Sequence, residues 1–224
     1  MNIISAISSI LYPTECPVCG AVLVKGEETF CTECLMNFPW SDPDFHYHDT
    51  ILKLKNSNIK NLYSLFNYAK GADSKNLLYA IKYHNRPKLA YKMGVMLGKH
   101  LEKHLHGDII IPIPLHPKRE RKRGYNQSVE IARGVSKITA IPFSTKAIHK
   151  IKNTSTLTSH NREERFATIN GAFELGEASL IKGKEVIIVD DVITTGATVM
   201  AAISAMEQAG AKGFTLICVA KTSL

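Results

Sequence analysis

The stretch Glu185–Gly210, EVIIVDDVITTGATVMAAISAMEQAG, constrains the fold of this chain more than any other. Val186–Val189 is a short, β-branched apolar run, the composition of a strand covered on both faces in a parallel sheet. Asp190 and Asp191 end it. The small, hydroxyl-rich Thr194, Thr195, Gly196, Ala197 and Thr198 follow, and then Val199, Ile203 and Met206 recur at helical spacing, with Gly210 as a stop. The order is strand, loop, helix, and it has a chemical meaning. Ligands of parallel α/β sheets bind beyond the carboxyl ends of the strands. A loop entering a helix N-terminus presents unpaired N–H groups to an anion. Gly196 lets the backbone close around a phosphate, and the threonine hydroxyls add donors. Two adjacent carboxylates beside such a loop suit a ribose diol, or a divalent cation shared with a diphosphate. The alternative is a plain strand–turn–helix with a solvated acidic pair.

The rest of the chain fits around that unit. Its 224 residues hold one α/β domain and a small appendage. A net charge of +8 favours an anionic partner, nucleic acid or a phosphorylated substrate, without choosing between them. No apolar stretch reaches the about 18 residues of a membrane span. The opening MNIISAISSIL lacks a basic flank and reads as a short helix rather than a signal peptide, so the expected compartment is the cytoplasm.

Four of the five cysteines, Cys16, Cys19, Cys31 and Cys34, stand in a C-x2-C-x11-C-x2-C pattern. Two such knuckles bring four thiolates around one tetrahedral ion, with a small hairpin expected over Ala21–Phe30. A segment this short has little core of its own, and disulfides are disfavoured in the cytoplasm, which points to structural Zn²⁺. Redox-active or unligated cysteines are the alternatives. Four thiolates leave no open position for water, so this zinc is not catalytic. Cys218, in an apolar run, reads as a buried small hydrophobe.

Residues 1–40 thus form a short helix and finger, 41–60 a connector, and 61–224 the main domain. In the connector, His46 and His48 read as exposed linker residues rather than a second metal site. Residues 62–70 read as a strand; Asp73 or Ser74 caps a helix through Leu77, Leu78 and Ile81; Asn85-Arg86-Pro87 is a break. A further helix over Leu89–His104 places Ala90, Met93, Leu97 and Leu101 on one face. Asp108–Pro114 is expected as the first sheet strand, with Pro112 and Pro114 marking its exit. After Leu115, His116 and Pro117 come Lys118, Arg119, Arg121, Lys122 and Arg123, five cations in six residues, then Gly124, Tyr125, Asn126, Gln127 and a helix. Cations at this density call for an anion unless they are only a solvated surface run. A short strand is expected over Ile141–Ile148, and a final one over Phe214–Ala220.

The thirteen-residue run VIIVDDVITTGAT closely resembles the 5-phosphoribosyl 1-diphosphate (PRPP) signature of type I phosphoribosyltransferases. With PLHP at a strand exit, a basic run, RGYNQS and the four-cysteine finger, the chain is identified as a member of the ComF family, also described as competence-protein ComFC or GntX-like phosphoribosyltransferases. The resemblance covers nearly the whole chain. It implies a Rossmann-like, mainly parallel sheet flanked by helices, with an N-terminal zinc finger. It also implies PRPP bound with Mg²⁺. Asp190 and Asp191 would lie along the ribose hydroxyls, Thr194–Thr198 around the 5-phosphate, and Leu115–Lys118 at the diphosphate. Arg119, Arg121, Lys122, Arg123, Tyr125, Asn126 and Gln127 would meet the diphosphate, a second substrate or DNA.

A hood or mobile loop is expected over about 149–175, where Thr154, Arg162, Glu164 and Arg165 are retained and Arg162 or Arg165 would close over the site. The chain departs from the family pattern at Leu157, where glutamine is usual, at His160, where leucine is usual, and at Thr168, where asparagine is usual; Gly171-Ala172-Phe173 matches it. The resemblance further implies a role in DNA uptake or natural transformation, with single-stranded DNA and an associated helicase or ATPase as partners, in a monomer or homodimer. Three readings follow: a transferase acting on an unidentified acceptor, a single-stranded-DNA-binding accessory that keeps the phosphate site, and a PRPP-responsive scaffold without turnover. The basic run favours the second, and the intact acidic pair and phosphate loop favour the first.

Overall fold

A computed structural model describes residues 13–44, 47–54, 56–68, 74–83, 85–152 and 171–222. The opening helix, His46, the His48 side chain and the segment bearing Thr154, Leu157, His160, Arg162, Glu164, Arg165 and Thr168 lie outside the described residues.

The centre is a parallel sheet in the order β1-β6-β5-β2, from β1 (Ile59–Tyr68), β2 (Ile109–Pro112), β5 (Glu185–Ile193) and β6 (Gly213–Thr222). The apolar run of β5 is interior and its Val186–Val189 are buried, as a strand covered on both faces requires. Two corrections concern strand limits. Ile59–Tyr68 already joins the sheet, so the strand after Asp108 is the second along the chain. Asp190 and Asp191 do not end β5. Its backbone keeps pairing with β6 as far as Ile193 opposite Lys221, whereas β2 stops where Pro112 faces Val189. Ile113 N still donates to Val189 O at 2.9 Å, but pairing with β2 ends there, so β5 has no neighbour on that side at the acidic pair, a notch in the sheet.

One sheet face is covered by α3 (Ser74–Tyr83), α4 (Pro87–Leu101) and α6 (Gln127–Thr139). Ala90, Met93, Leu97 and Leu101 are completely buried, the helical stripe that the sequence predicts. Helices α4 and α6 cross so closely that a Cβ on Gly94 would sit 2.1 Å from the Ile131 carbonyl oxygen, and one on Gly134 2.4 Å from that of Tyr91. The other face carries α7 (Ala197–Glu207), with Val199, Ile203 and Met206 buried. It also carries α2 (His48–Leu54), so the expected connector contains a packed helix. The strand expected over Ile141–Ile148 reduces to one bridge, Phe143 to Ile110. The hydrogen-bonded strand is β3 (Ile148–Lys150), antiparallel to β4 (Phe173–Leu175) in a separate two-stranded sheet.

The finger is docked onto the sheet. No hairpin forms over Ala21–Phe30. A single bridge joins Glu15 and Val22, and the Glu27 carboxylate accepts from Val24 N at 3.0 Å and Thr32 N at 2.6 Å, so a side chain supplies the acceptors a second strand would have given. Helix α1 (Thr32–Asn37) follows. Phe38 packs against Phe66 of β1 with ring centroids 4.8 Å apart and against Trp40 at 4.7 Å. The segment at Pro39–Ser41 pairs antiparallel with the free edge of β1: Asn67 N donates to Pro39 O, Ser41 N to Leu65 O.

Candidate PRPP and zinc sites

The four finger cysteines meet. Their sulfur atoms all lie within 4.8 Å of one another, Cys16 buried and the others at the surface or partly covered. The first knuckle turns at Gly20, in the left-handed region at φ +79°, where Gly20 N bonds Cys16 O at 2.9 Å. The second is held by Cys34 N donating to Cys31 Sγ at 3.4 Å, which also caps α1. Four sulfurs at this spacing, with their backbones fixed by knuckle hydrogen bonds, fit a closed tetrahedral Zn²⁺ site.

The second site lies at the carboxyl end of β5. Asp191 is buried, and its Oδ2 has no hydrogen bond among the described residues; the Lys82 ammonium of α3 stands 3.5 Å away. Asp190 Oδ1 accepts from Ser128 Oγ at 3.1 Å and from Asp191 N at 2.8 Å. Burial, followed by the adjacent Asp191 charge, pushes the Asp190 carboxyl up to about 7. The dyad is thus desolvated and under-neutralised, a condition that hydroxyl donors or a hard cation relieve.

Beyond the notch, Thr194, Thr195 and Gly196 lead into α7. Gly196 takes φ +75° at its N-cap, and among the described residues no side chain caps the helix beyond Thr195 Oγ1, which accepts from Ala197 N at 3.5 Å. A Cβ on Gly196 would lie 2.3 Å from Leu54 Cδ2, so α2 forms one wall of this turn. Thr194 is exposed and Thr198 half-buried. Apart from the long Thr195 contact, the amides at the start of α7 have no side-chain acceptor among the described residues, a state of a helix N-terminus that suits an anion.

The basic run is helical. His116 caps a seven-residue helix, α5 (Pro117–Arg123), its Nδ1 accepting from Lys118 N at 3.2 Å, and Gly124 closes it in the left-handed conformation. Pro117 and Lys118 are therefore its first turn, and of the four residues Leu115–Lys118 only Leu115 and His116 lie in the loop after β2, which spans 113–116. Helical periodicity divides the cations: Lys118, Arg121 and Lys122 are exposed, whereas Arg119 and Arg123 are half-buried one turn apart. Arg123 donates to Gln127 Oε1 at 2.5 Å and lies 5.7 Å over the Tyr83 ring. Burial, then the Arg123 charge, draws the Arg119 guanidinium below its ordinary value.

Three residues expected beside the substrate or DNA prove to be buried, with their side chains committed to the fold. Tyr125 OH donates to Ile81 O, and burial pushes its phenol up to about 12. Asn126 Oδ1 accepts from Ser128 N at 3.0 Å and its Nδ2 donates to Ile113 O at 3.1 Å. Gln127 receives Arg123. The RGYNQS turn fastens α3, the exit of β2 and α6 together, a packing duty that spacing alone does not reveal.

The structure also contributes residues that sequence reasoning passed over. Neither Lys82, beside Asp191, nor Ser128, which donates to Asp190, stands out in the sequence as a site residue. Lys150 is buried at the end of β3, its ammonium 5.2 Å from the Phe173 ring centre. Burial lowers its pKa; the Asp190 charge raises it and the Arg119 charge lowers it, so the amine shares their field. A signal existed: alternation in Ile148-His149-Lys150 puts Lys150 on the same face as the buried Ile148.

Comparison with known proteins agrees with this anatomy. Residues 92–223 match the family model of the phosphoribosyl transferase domain, and residues 7–44 that of the double zinc ribbon domain. The chain is 25% identical over 218 residues to the DNA utilization protein YhgH of Escherichia coli (strain K12), covering 92% of this chain and 90% of that protein. It is 34% identical over 92 residues to competence protein F of Haemophilus influenzae, 41% of this chain and 40% of that one. Against competence protein ComFC of Streptococcus pneumoniae the figures are 30% over 116 residues, 52% and 49%. With the transferase domain spanning more than half of its length behind a four-cysteine zinc ribbon, this chain belongs to the phosphoribosyl transferase domain family and, within it, to the ComF family.

Proposed function

We propose that this protein binds PRPP with Mg²⁺ at the carboxyl end of β5 and transfers the phosphoribosyl group to a nitrogen nucleophile, in the service of DNA uptake or utilization. The observation that carries the proposal is the buried Asp191 Oδ2, which has no hydrogen bond among the described residues and only the Lys82 ammonium nearby, on the strand that leads through Gly196 into the N-terminus of α7. An acceptor oxygen in that state is ready for a ribose hydroxyl. The amides of Gly196–Thr198 and the threonine hydroxyls take the 5-phosphate. Arg119, Lys150 and the turn at Leu115–Lys118 take the diphosphate.

In the reaction, the bond from ribose C1 to the diphosphate oxygen breaks as the nitrogen lone pair forms the new C–N bond. The proton lost from nitrogen goes to solvent or to the departing diphosphate. Asp190 and Asp191 stabilise positive character at the ribose, and the cations stabilise the leaving group. The hard carboxylate oxygens of the dyad fit Mg²⁺ and would hold it together with diphosphate oxygens; when bound, it supplies neutralisation of the leaving group's charge. Arg162 and Arg165 are proposed to close over the site and exclude water. The names of the relatives, DNA utilization protein and competence protein, support the physiological setting. With it go a cytoplasmic location and a helicase or ATPase partner, in a monomer or homodimer. No helix among the described residues is long and apolar enough to cross a membrane.

Calorimetric titration of PRPP with Mg²⁺ tests this, wild type beside Asp190→Asn/Asp191→Asn. Micromolar binding lost in the double variant supports the site; no binding by the wild type overturns it.

The exposure of Lys118, Arg121 and Lys122 on the outer side of α5 favours a second, compatible activity, single-stranded DNA bound through its phosphates. Arg121→Ala/Lys122→Ala is expected to weaken DNA binding and flatten its salt dependence while leaving PRPP affinity nearly unchanged. An unaltered salt dependence would remove the surface.

A further inference from the structure

We propose that Tyr79 and Tyr83 of α3 form a base-stacking platform for single-stranded nucleic acid, with the cations of α5 holding the adjoining phosphates. This rests on the single-strand reading above and names the part of the surface that would distinguish unpaired bases from duplex.

The two tyrosines are four residues apart and share one face of α3. They are 53% and 56% exposed, the aromatic members of the exposed large apolar side chains among the described residues. Their centroids lie 4.7 Å apart with planes 38° from parallel. An exposed pair at this spacing on its own is a modest support for a helix. Here the helix does not depend on it: the opposite face already buries Leu77, Leu78, Ala80 and Ile81.

What surrounds the rings gives them a ligand class. The Arg123 guanidinium lies 5.7 Å over the Tyr83 ring and is held by Gln127, so the platform borders the cationic helix directly. Lys75, one turn before Tyr79, is exposed, as are Arg86 and Lys88 just after Tyr83. The one acidic residue of α5 is Glu120. At its other end α3 reaches the finger, where Asn76 Nδ2 donates to Val18 O at 2.8 Å. Aromatic faces flanked by cations, on a rigid element fixed at both ends, are the two components of sequence-tolerant single-strand binding: stacking for bases and charge for backbone. Duplex DNA keeps its base faces covered and has no use for the rings.

Fluorescence anisotropy of a labelled 20-nucleotide oligothymidine against the full-length, zinc-loaded protein tests this. The variants are Tyr79→Ala, Tyr83→Ala and Tyr83→Phe, with Arg121→Ala/Lys122→Ala alongside and circular dichroism as the folding control. Each alanine is expected to weaken binding about tenfold at fixed salt while leaving the salt slope unchanged. Tyr83→Phe, which keeps the ring and the core beneath it, is expected to bind like the wild type, and affinity for a duplex of the same length should not follow the tyrosines. Wild-type binding that depends on Arg121 and Lys122 but is indifferent to both alanines overturns the platform alone. Absence of wild-type binding at low salt overturns the single-strand reading and the platform with it.

Discussion

The Lys82 ammonium lies 3.5 Å from Asp191 Oδ2, a buried oxygen with no hydrogen bond among the described residues. Lys82 is itself partly exposed, so only the carboxylate member of the pair is buried. Removing it strands a buried carboxylate. Lys82→Met is expected to lower stability by about 1–3 kcal/mol, read from urea unfolding at neutral pH. Adding Asp191→Asn should recover most of the loss, because the charge left unpaired is then gone. Equal, additive losses in the two single variants would show that the ion pair has no energetic coupling.

Asp190 gives the protein an unusual pH response. Its folded carboxyl titrates at about 7, above the unfolded value, because burial and then the Asp191 charge disfavour the anion. The folded state therefore binds the proton more tightly than the unfolded chain. This group's contribution is complete below the unfolded value, near pH 4, and is lost as the pH rises through about 7. Asp190→Asn is expected to be more stable than the wild type at pH 8 and to close that gap towards pH 4. Thermal unfolding across this range decides it, and a gap of constant size would remove the assignment.

The chain holds a single tryptophan, and Trp40 sits in the aromatic stack that ties finger to sheet, its Nε1 donating to Leu35 O at 2.8 Å. Purified protein is expected to contain about one equivalent of zinc. Stripping it with a strong chelator, or Cys31→Ser, should shift Trp40 emission to the red as water reaches the ring, before the sheet unfolds. Unchanged emission in metal-free protein would mean that the stack holds without the ion.

Gly196 has two reasons to be glycine: its positive φ and the 2.3 Å between a Cβ and Leu54 Cδ2. Gly196→Ala is expected to cost about 1–3 kcal/mol and to weaken PRPP binding at least tenfold, since the turn that aims the α7 amides has to open. Gly183 also has positive φ but nothing within 4 Å of its Cβ, so Gly183→Ala serves as the control for backbone strain alone.

Where sequence succeeded and where it failed follow one division. Features with a local cause were legible: the β-branched run of β5, the helical stripe of α4, the paired cysteine spacing, the glycine at the α7 turn. Features made by distant chain were not. Nothing in the spacing says that β6 would carry β5 past the aspartates while β2 stopped short, nor that Lys82, 109 residues before Asp191, would become its counter-ion. Tyr125, Asn126 and Gln127 look like site residues because polar side chains after a basic run are usually solvated. Here backbone acceptors on other elements, Ile81 and Ile113, draw two of them inside. The helix over the basic run is the one local feature left unread. Pro117 at a first helical position behind a capping His116 was the available sign that it coils.

The strip at Pro39–Ser41 that lies along β1 occupies what would otherwise be a row of open backbone donors and acceptors. That strip is held in place by the same aromatic residues that follow the second zinc knuckle, so metal loading and sheet closure are linked through a few residues of chain. A molecule deprived of zinc is expected to keep its phosphate loop and acidic pair and yet to acquire a surface on which a second sheet can grow. For this protein, metal starvation is then a matter of solubility before it is one of chemistry: the first symptom is self-association of chains whose ligand sites are still whole.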